Sequence, residues 1–342
     1  STTLETPWGP HRSQGAGGAY VIDPRSQKIR QFSLPGMYNM WCYVFDEWGQ
    51  GIVGDGTTPN QTWDVPLSGQ QFAGRKGIDF VLPNGVRPNL GNEWLVSRAL
   101  PDEVQKQFIY ACVIQLNGMP RYTMRDDGAG FKGERVKPKD GKGFDDLVRS
   151  PDKHFRPCDP QIGADGALWF GDWANPLIGH MQYSQRDPNR DHTHGRIYRM
   201  VGTGKKLVTP VTQHGKKVEE ILEQFREYEW RTRYRVRREL HDRPAAEVLP
   251  AVAKWVEKLD PKDAAYDRLC CEALWVQQGH HAVDVKLLDV VLASKTFQAR
   301  AAAVHILADE RERLPEAVAR FKKAATDEHP RVRTEAARAL SF

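Results

Sequence analysis

Phe45-Asp46-Glu47-Trp48-Gly49-Gln50-Gly51-Ile52-Val53-Gly54-Asp55 lines up without a gap on Ile162-Gly163-Ala164-Asp165-Gly166-Ala167-Leu168-Trp169-Phe170-Gly171-Asp172. An apolar residue, a polar turn with glycine, an apolar strand and a closing aspartate recur in the same order, as a repeated strand-turn-strand unit requires. Each copy follows a polar, kinked lead-in, Asn39-Met40-Trp41 or Arg156-Pro157-Cys158. A third lead-in, Arg87-Pro88-Asn89, precedes a strand expected over Glu93 to Val96. On either side, Tyr20-Val21-Ile22 and Lys28 to Phe32 flank the turn Asp23-Pro24-Arg25-Ser26, and Arg121-Tyr122-Thr123-Met124 runs into Asp126-Asp127-Gly128. Sheet modules repeated in this way predict a partial β-propeller over residues 1–203, in which radial repetition hides sheet edges. A β-sandwich is the competing architecture, and it would carry the strands without the repeated closing aspartate.

The period changes after Gly204. From Val218 onward helix formers dominate and apolar residues fall three and four apart. Arginines recur at Arg235, Arg268, Arg300 and Arg333, with spacings of 268−235 = 33, 300−268 = 32 and 333−300 = 33. Three of the four are followed at +3 and +7 by small or apolar residues, and the first copy departs with Arg238 and Asp242. A period near 33 predicts a HEAT-like α-solenoid of helical pairs over residues 204–342. Pro315 and Pro330 mark expected helix starts. The fold class expected is therefore all-β followed by all-α. The sequence stops directly after a repeat core, and only about three to four blades fit before it. A remaining segment or a partner chain is expected to complete both domains.

Composition narrows the function. The 342 residues carry 49 Lys+Arg against 44 Asp+Glu, a net charge of +5 with no basic block, so nucleic acid is not an expected partner. No apolar run is long enough to span a membrane. Cys42, Cys112, Cys158, Cys270 and Cys271 lack the spacing of a zinc ribbon or of a covalent haem site.

Several long stretches carry a resemblance: Phe155-Arg156-Pro157, then 163–180 and 186–199, with Thr6-Pro7-Trp8-Gly9 and 45–56 before them. Arg231 to Arg235, Glu272 to Val276 and His329 to Arg333 extend it through the helical half. Together these resemble a family of membrane-bound dehydrogenases of planctomycetes and relatives. Such proteins join a sugar-dehydrogenase-like propeller to HEAT-type repeats and often to a c-type haem domain, and this chain corresponds to their later blades and early repeats. The resemblance implies a quinoprotein-like or metal-containing oxidoreductase acting on a sugar or alcohol in the periplasm or another extracytoplasmic space. It further implies pyrroloquinoline quinone (PQQ) with calcium as cofactors, a cytochrome as electron acceptor, and the helical repeats as a docking module. The earlier blades and the C-x-x-C-H haem motif are absent from this sequence.

Propellers gather ligands at the axial mouth, where blade loops converge. The repeat puts Asn39, Arg87 and Arg156 at equivalent lead-ins, with Asp55 and Asp172 closing matching strands. Asn39, Asp55, Arg87 and Asp172 are thus the expected cofactor-binding set. By likeness to quinoprotein sugar dehydrogenases, Arg156 with Asp159 would pair a quinone carboxylate and His180 would take a proton from the substrate hydroxyl. For Arg156 the other reading is a clamp fixing one blade to the next.

Asp191, His192 and His194 are the expected metal ligands. Two histidines two apart on an extended strand point to one side, and an adjacent carboxylate can ligate or orient them. Oxygen ligands alone would favour calcium, whereas the histidine pair favours another divalent metal. The competing reading is a turn whose side chains cap backbone groups. Three functions therefore stand: the oxidoreductase, a non-catalytic glycan- or protein-binding scaffold, and a non-redox metal-dependent carbohydrate-modifying enzyme. The oxidoreductase needs Arg, Asp and His groups converging at the axis, while a scaffold leaves them paired among themselves.

Overall fold

The computed structural model describes residues 3–12, 19–32, 39–63, 80–176, 187–188 and 190–341. Two hairpins open the chain, β1 (Thr3–Thr6) with β2 (Gly9–Arg12) and β3 (Ala19–Ile22) with β4 (Ile29–Phe32). Three antiparallel meanders follow. The first is β5 (Met40–Phe45), β6 (Gly51–Asp55) and β7 (Gln61–Trp63). The second runs β8 (Asn92–Trp94), β9 (Phe108–Tyr110), β11 (Arg121–Asp127) and β12 (Gly130–Arg135), with β10 (Gly118–Met119) pairing β13 (Val148–Arg149) beside it. The third is β14 (Pro157–Ile162), β15 (Leu168–Asp172) and β16 (Arg196–Met200). The strand expected over Glu93 to Val96 runs over Asn92–Trp94; Leu95 still exchanges backbone bonds with Lys106 and Gln107, at 2.7 and 2.8 Å, but Lys106 at φ +59° ends the regular ladder there.

The sequence repeat is a structural repeat. Phe45 pairs Gly51 and Met40 pairs Asp55, just as Ile162 pairs Leu168 and Pro157 pairs Asp172. Both first strands carry an irregularity after the lead-in, between Met40 and Cys42 and between Cys158 and Gln161. The turns match bond for bond: Asp46 N donates to Gln50 O at 2.9 Å, and Gly163 N donates to Ala167 O at 2.8 Å. Gly49 and Gly166 sit at φ +78° and +77°, where a side chain would be strained, so the glycine in the motif is required by the turn.

The sheets stack face on face. Val44, Ile52 and Trp63 of the first pack on Trp94, Phe108 and Tyr110 of the second. Leu95, Ile109 and Ala111 around the second then pack on Ile162, Leu168 and Phe170 of the third. The opening strands β5, β8 and β14 lie side by side along one edge of this stack.

Eight helices follow among the described residues: α1 (Val218–Glu223), α2 (Trp230–Asp242), α3 (Ala245–Val256), α4 (Tyr266–Gly279), α5 (Val285–Leu292), α6 (Phe297–Asp309), α7 (Ala317–Ala324) and α8 (Pro330–Leu340). Helices α2, α4, α6 and α8 form one layer around a continuous apolar core. The arginine repeat has a structural cause and needs one correction. Arg300 and Arg333 each use Nη1 to hold two carbonyls six and five residues upstream, Ser294 and Lys295 or Asp327 and Glu328. In the first copy the residue with that bonding is Arg233, on Glu227 O and Tyr228 O, rather than Arg235. Counted from Arg233, the +3 and +7 positions are Val236 and Leu240, both fully buried, but the step to the second copy becomes 35, and Arg268 departs from the bonding, with Nη1 on Phe225 O at 3.0 Å.

The two halves are bolted together. Buried Glu93 accepts from Arg231 at 2.9 Å and from Ile162 N at 2.9 Å, joining α2 to two sheets. Arg331 of α8 is 2% exposed and donates to Asp126 (2.7 Å), Ala129 O (2.8 Å) and Gly130 O (2.8 Å) at the β11–β12 turn. Arg25 in the β3–β4 turn donates to His241 O and Gly279 O, each at 2.7 Å, the carbonyl ends of α2 and α4. No helix among the described residues is long and apolar enough to cross a membrane.

Candidate functional site

The lead-in and strand-end residues come first, because they were expected to converge. Arg156 is buried, and its guanidinium donates to Val113 O (2.6 Å), Asn117 Oδ1 (2.5 Å) and Asn175 O (3.0 Å). Burial pulls this guanidinium below its ordinary range, with Asp172 opposing. Its partners belong to the loop after β9 and the loop after β15, so Arg156 clamps one sheet to the next. The Arg156 guanidinium, expected with Asp159 to meet a quinone carboxylate, is instead occupied by these oxygens. Asp159 is exposed at φ +48° on the irregular part of β14, where its carboxylate accepts from Gln161 at 2.9 Å.

Asp55 and Asp172 keep their equivalence but serve the framework. Asp172 Oδ1 accepts from Arg156 N (2.7 Å) and Ala174 N (2.8 Å), and Oδ2 lies 2.8 Å from Arg196 Nε. Asp55 accepts from Thr57 N at 2.8 Å and from the Thr58 hydroxyl at 3.0 Å. Both carboxylates close the loop after their strand, which is why the repeat ends in aspartate. Asn39 is exposed and reaches Thr57 at 3.4 Å. Arg87 is exposed, and its backbone N donates to Gln115 Oε1 at 2.9 Å. Among the described residues these groups do not build a pocket for a quinone carboxylate. His180 lies outside the described residues.

The expected metal ligands are placed differently from the sequence reading. Residues 191–194 form a bend, and the strand begins only at Arg196, so His192 and His194 do not share a strand face. Asp191 Oδ1 caps Thr193 N (2.9 Å) and His194 N (3.1 Å), and Oδ2 lies 2.9 Å from His194 Nδ1. The Thr193 amide and hydroxyl hold the Asp191 carboxyl well below the usual carboxylate range. All three side chains are exposed. Among the described residues no three His, Cys, Asp or Glu side chains gather in a way that could hold a metal ion. The donors named for calcium or another divalent metal therefore do not fit one.

A different site emerges between the halves. A crevice of about 1180 Å³ separates the β3–β4 hairpin and β5 from helices α2, α4 and α6. Tyr43, Phe45, Trp230, Tyr234 and Trp275 contribute its aromatic walls, and Phe45 and Tyr234 are both more than a third exposed. Three imidazoles face it. His241 Nε2 sits 3.1 Å from Trp275 O, and burial holds this ring toward its neutral form. His281 lies 3.1 Å from Asp23 and 3.2 Å from Glu310, bridging the hairpin to the end of α6. His305 lies 3.2 Å from Glu335; burial disfavours its charge, but Glu335 and Asp309 outweigh that and raise its pKa. Asp46, at the rim, is pushed up to about 6 by burial, although the Gln50 and Trp48 amides oppose the shift.

The cations along this crevice already have partners. Arg231 is held by Glu93, Arg237 by Glu272 at 2.6 Å, Arg243 by Glu239 at 2.9 Å, Arg313 by Glu310 at 3.1 Å, and Arg25 by the two helix-end carbonyls. A charge-balanced wall of planar rings and hydrogen-bonding groups suits an uncharged, polar ligand better than an anion.

A domain of unknown function, DUF7133, matches residues 90–204, the stretch from just before β8 to just after β16. No curated protein and no solved structure matches this chain. The match therefore treats the second and third sheets as a unit, and it names no chemistry.

Proposed function

We propose that this chain is a binding scaffold, in which blade-like sheets of a partial propeller and HEAT-like helical repeats enclose a crevice that takes a neutral glycan. One observation carries the reading. Arg156, Asp55 and Asp172, the charged groups best placed for axial chemistry, are taken up by backbone and inter-sheet bonds, while the crevice presents exposed rings and imidazoles. Sugar rings expose C–H faces that pack on aromatic side chains, and their hydroxyls exchange hydrogen bonds with imidazole and carboxylate edges. Support for blades comes from three successive meanders stacked face to face with their opening strands adjacent. Support for HEAT-like repeats comes from the helical layer and the shared Arg-to-carbonyl bonding.

The test is calorimetric titration of the purified chain with neutral oligosaccharides and with uronate-containing ones of matched length. Saturable binding of the neutral series is expected, weakened about tenfold or more by Tyr234→Ala, whose half-exposed ring can be removed without opening the core. Failure of every saccharide to bind would overturn the glycan reading.

The sugar or alcohol oxidoreductase with PQQ and calcium, its cytochrome acceptor and its extracytoplasmic location rest on the family resemblance and on His180. It is the second reading. The non-redox metal enzyme would need Asp191, His192 and His194 to rearrange around an ion, since Asp191 now caps its own loop.

A further inference from the structure

A second, smaller space adjoins the crevice. This chamber of about 420 Å³ shares Phe45, Gly49, Trp275 and His305 with it as a common neck. Helical spacing builds one wall. Gln298, Ala301, Ala302 and His305 fall at i, i+3, i+4 and i+7 on α6, and Glu335 and Arg338 at i and i+3 on α8, so each helix turns one face to the chamber. The two alanines are what leave the room between them. The β5–β6 hairpin supplies the opposite wall with Phe45 and Trp48.

Two polar side chains of the helical wall have bonding capacity left over. Glu335 is 4% exposed, and its Oε2 faces both of its partners, His305 Nδ1 at 3.2 Å and Arg338 Nε at 3.9 Å. Its Oε1 has no hydrogen-bond partner among the described residues. A buried carboxylate oxygen left bare costs free energy until a donor meets it. Gln298 is half-buried, and its carboxamide likewise has no partner among the described residues, so it offers both a donor and an acceptor.

We infer that this chamber is the hydroxyl-reading subsite of the crevice, where one neutral sugar ring stacks on the aromatic wall, gives a hydroxyl hydrogen to Glu335 Oε1 and bonds a second hydroxyl to Gln298. The inference rests on the glycan reading of the crevice and says which groups select the sugar. The charges around the chamber favour a neutral ring. A ligand carboxylate would be set against the bare Oε1, and a ligand ammonium against His305 and Arg338, which already share the other oxygen. A site that pairs buried polar groups with ligand hydroxyls discriminates strongly, because the wrong ligand leaves those groups unmet.

Calorimetric titration of the full chain with neutral and uronate-containing oligosaccharides of matched length tests it. Gln298→Leu, which keeps the bulk of a half-buried side chain and removes the amide, is expected to weaken neutral binding at least about tenfold with the thermal melt unchanged. Glu335→Gln is expected to weaken neutral binding too, and to narrow the preference for neutral over uronate chains because the repelling charge is gone. A purely structural Glu335 would lower the melt and leave that preference where it was, which would overturn the inference. Wild-type binding that Tyr234→Ala weakens, but that Gln298→Leu and Glu335→Gln leave untouched, would also overturn it while the crevice reading stands, since Tyr234 lines the crevice and not the chamber. A wild type that binds no saccharide would overturn both.

Discussion

Arg156 shows how one side chain can read as chemistry in a sequence and as carpentry in a fold. A lead-in arginine beside an acidic residue suggests a carboxylate clamp, but the loops after β9 and β15 bring backbone carbonyls within its reach instead. Removing it would leave Val113 O, Asn175 O and the Asn117 amide oxygen without a donor, each costly when buried. Arg156→Ala is therefore expected to lower stability by about 3 kcal/mol, read by urea denaturation, without changing glycan affinity. Unchanged stability would return Arg156 to the list of functional residues. Asp191 taught the opposite lesson. The histidine pair was legible, but the strand that would have aligned it starts at Arg196, and an aspartate that caps its own loop looks the same in sequence as one that binds a metal.

At the level of elements, the hairpin repeat was readable because its constraints are local: a glycine at positive φ in the turn and an aspartate that caps the next loop. The helical register was harder. Arg231, Arg233, Arg235, Arg237 and Arg238 crowd one helix, and only the carbonyls at Glu227 and Tyr228 reveal which of them belongs to the repeat. Neighbouring helices are also joined by exposed pairs with calculable behaviour. Arg320 of α7 donates twice to Asp289 of α5, at 2.7 and 2.8 Å, and this hydrogen bonding lowers the Asp289 pKa. A depressed carboxyl stabilises the fold fully above its unfolded pKa, and the contribution is lost as pH falls through the folded one. The stability gap between wild type and Asp289→Asn is thus expected to be under about 1 kcal/mol at neutral pH, since the pair is half-exposed. It should fall away as the pH drops below the ordinary aspartate pKa of about 3.9. A gap that widened on acidification would contradict the sign.

The whole molecule adds what no window of sequence could show. The crevice takes one wall from Val21 to Lys28 and Tyr43 to Asp46 and the other from residues between Trp230 and Arg313, with Glu93, Arg25 and Arg331 fixing the helical layer against the sheets. Phe45, Tyr234 and Trp275 stood in the sequence only as parts of the repeat and the resemblance, and nothing there brings them to one crevice. What distinguishes a glycan scaffold from a redox centre is what the assembled chain carries. Native mass spectrometry of the protein purified without chelators, read together with its absorption spectrum, answers this most directly. The bare chain is expected, shifting by the mass of a neutral oligosaccharide when one is added. A chain that arrives carrying calcium and a quinone chromophore would contradict the scaffold and establish the oxidoreductase.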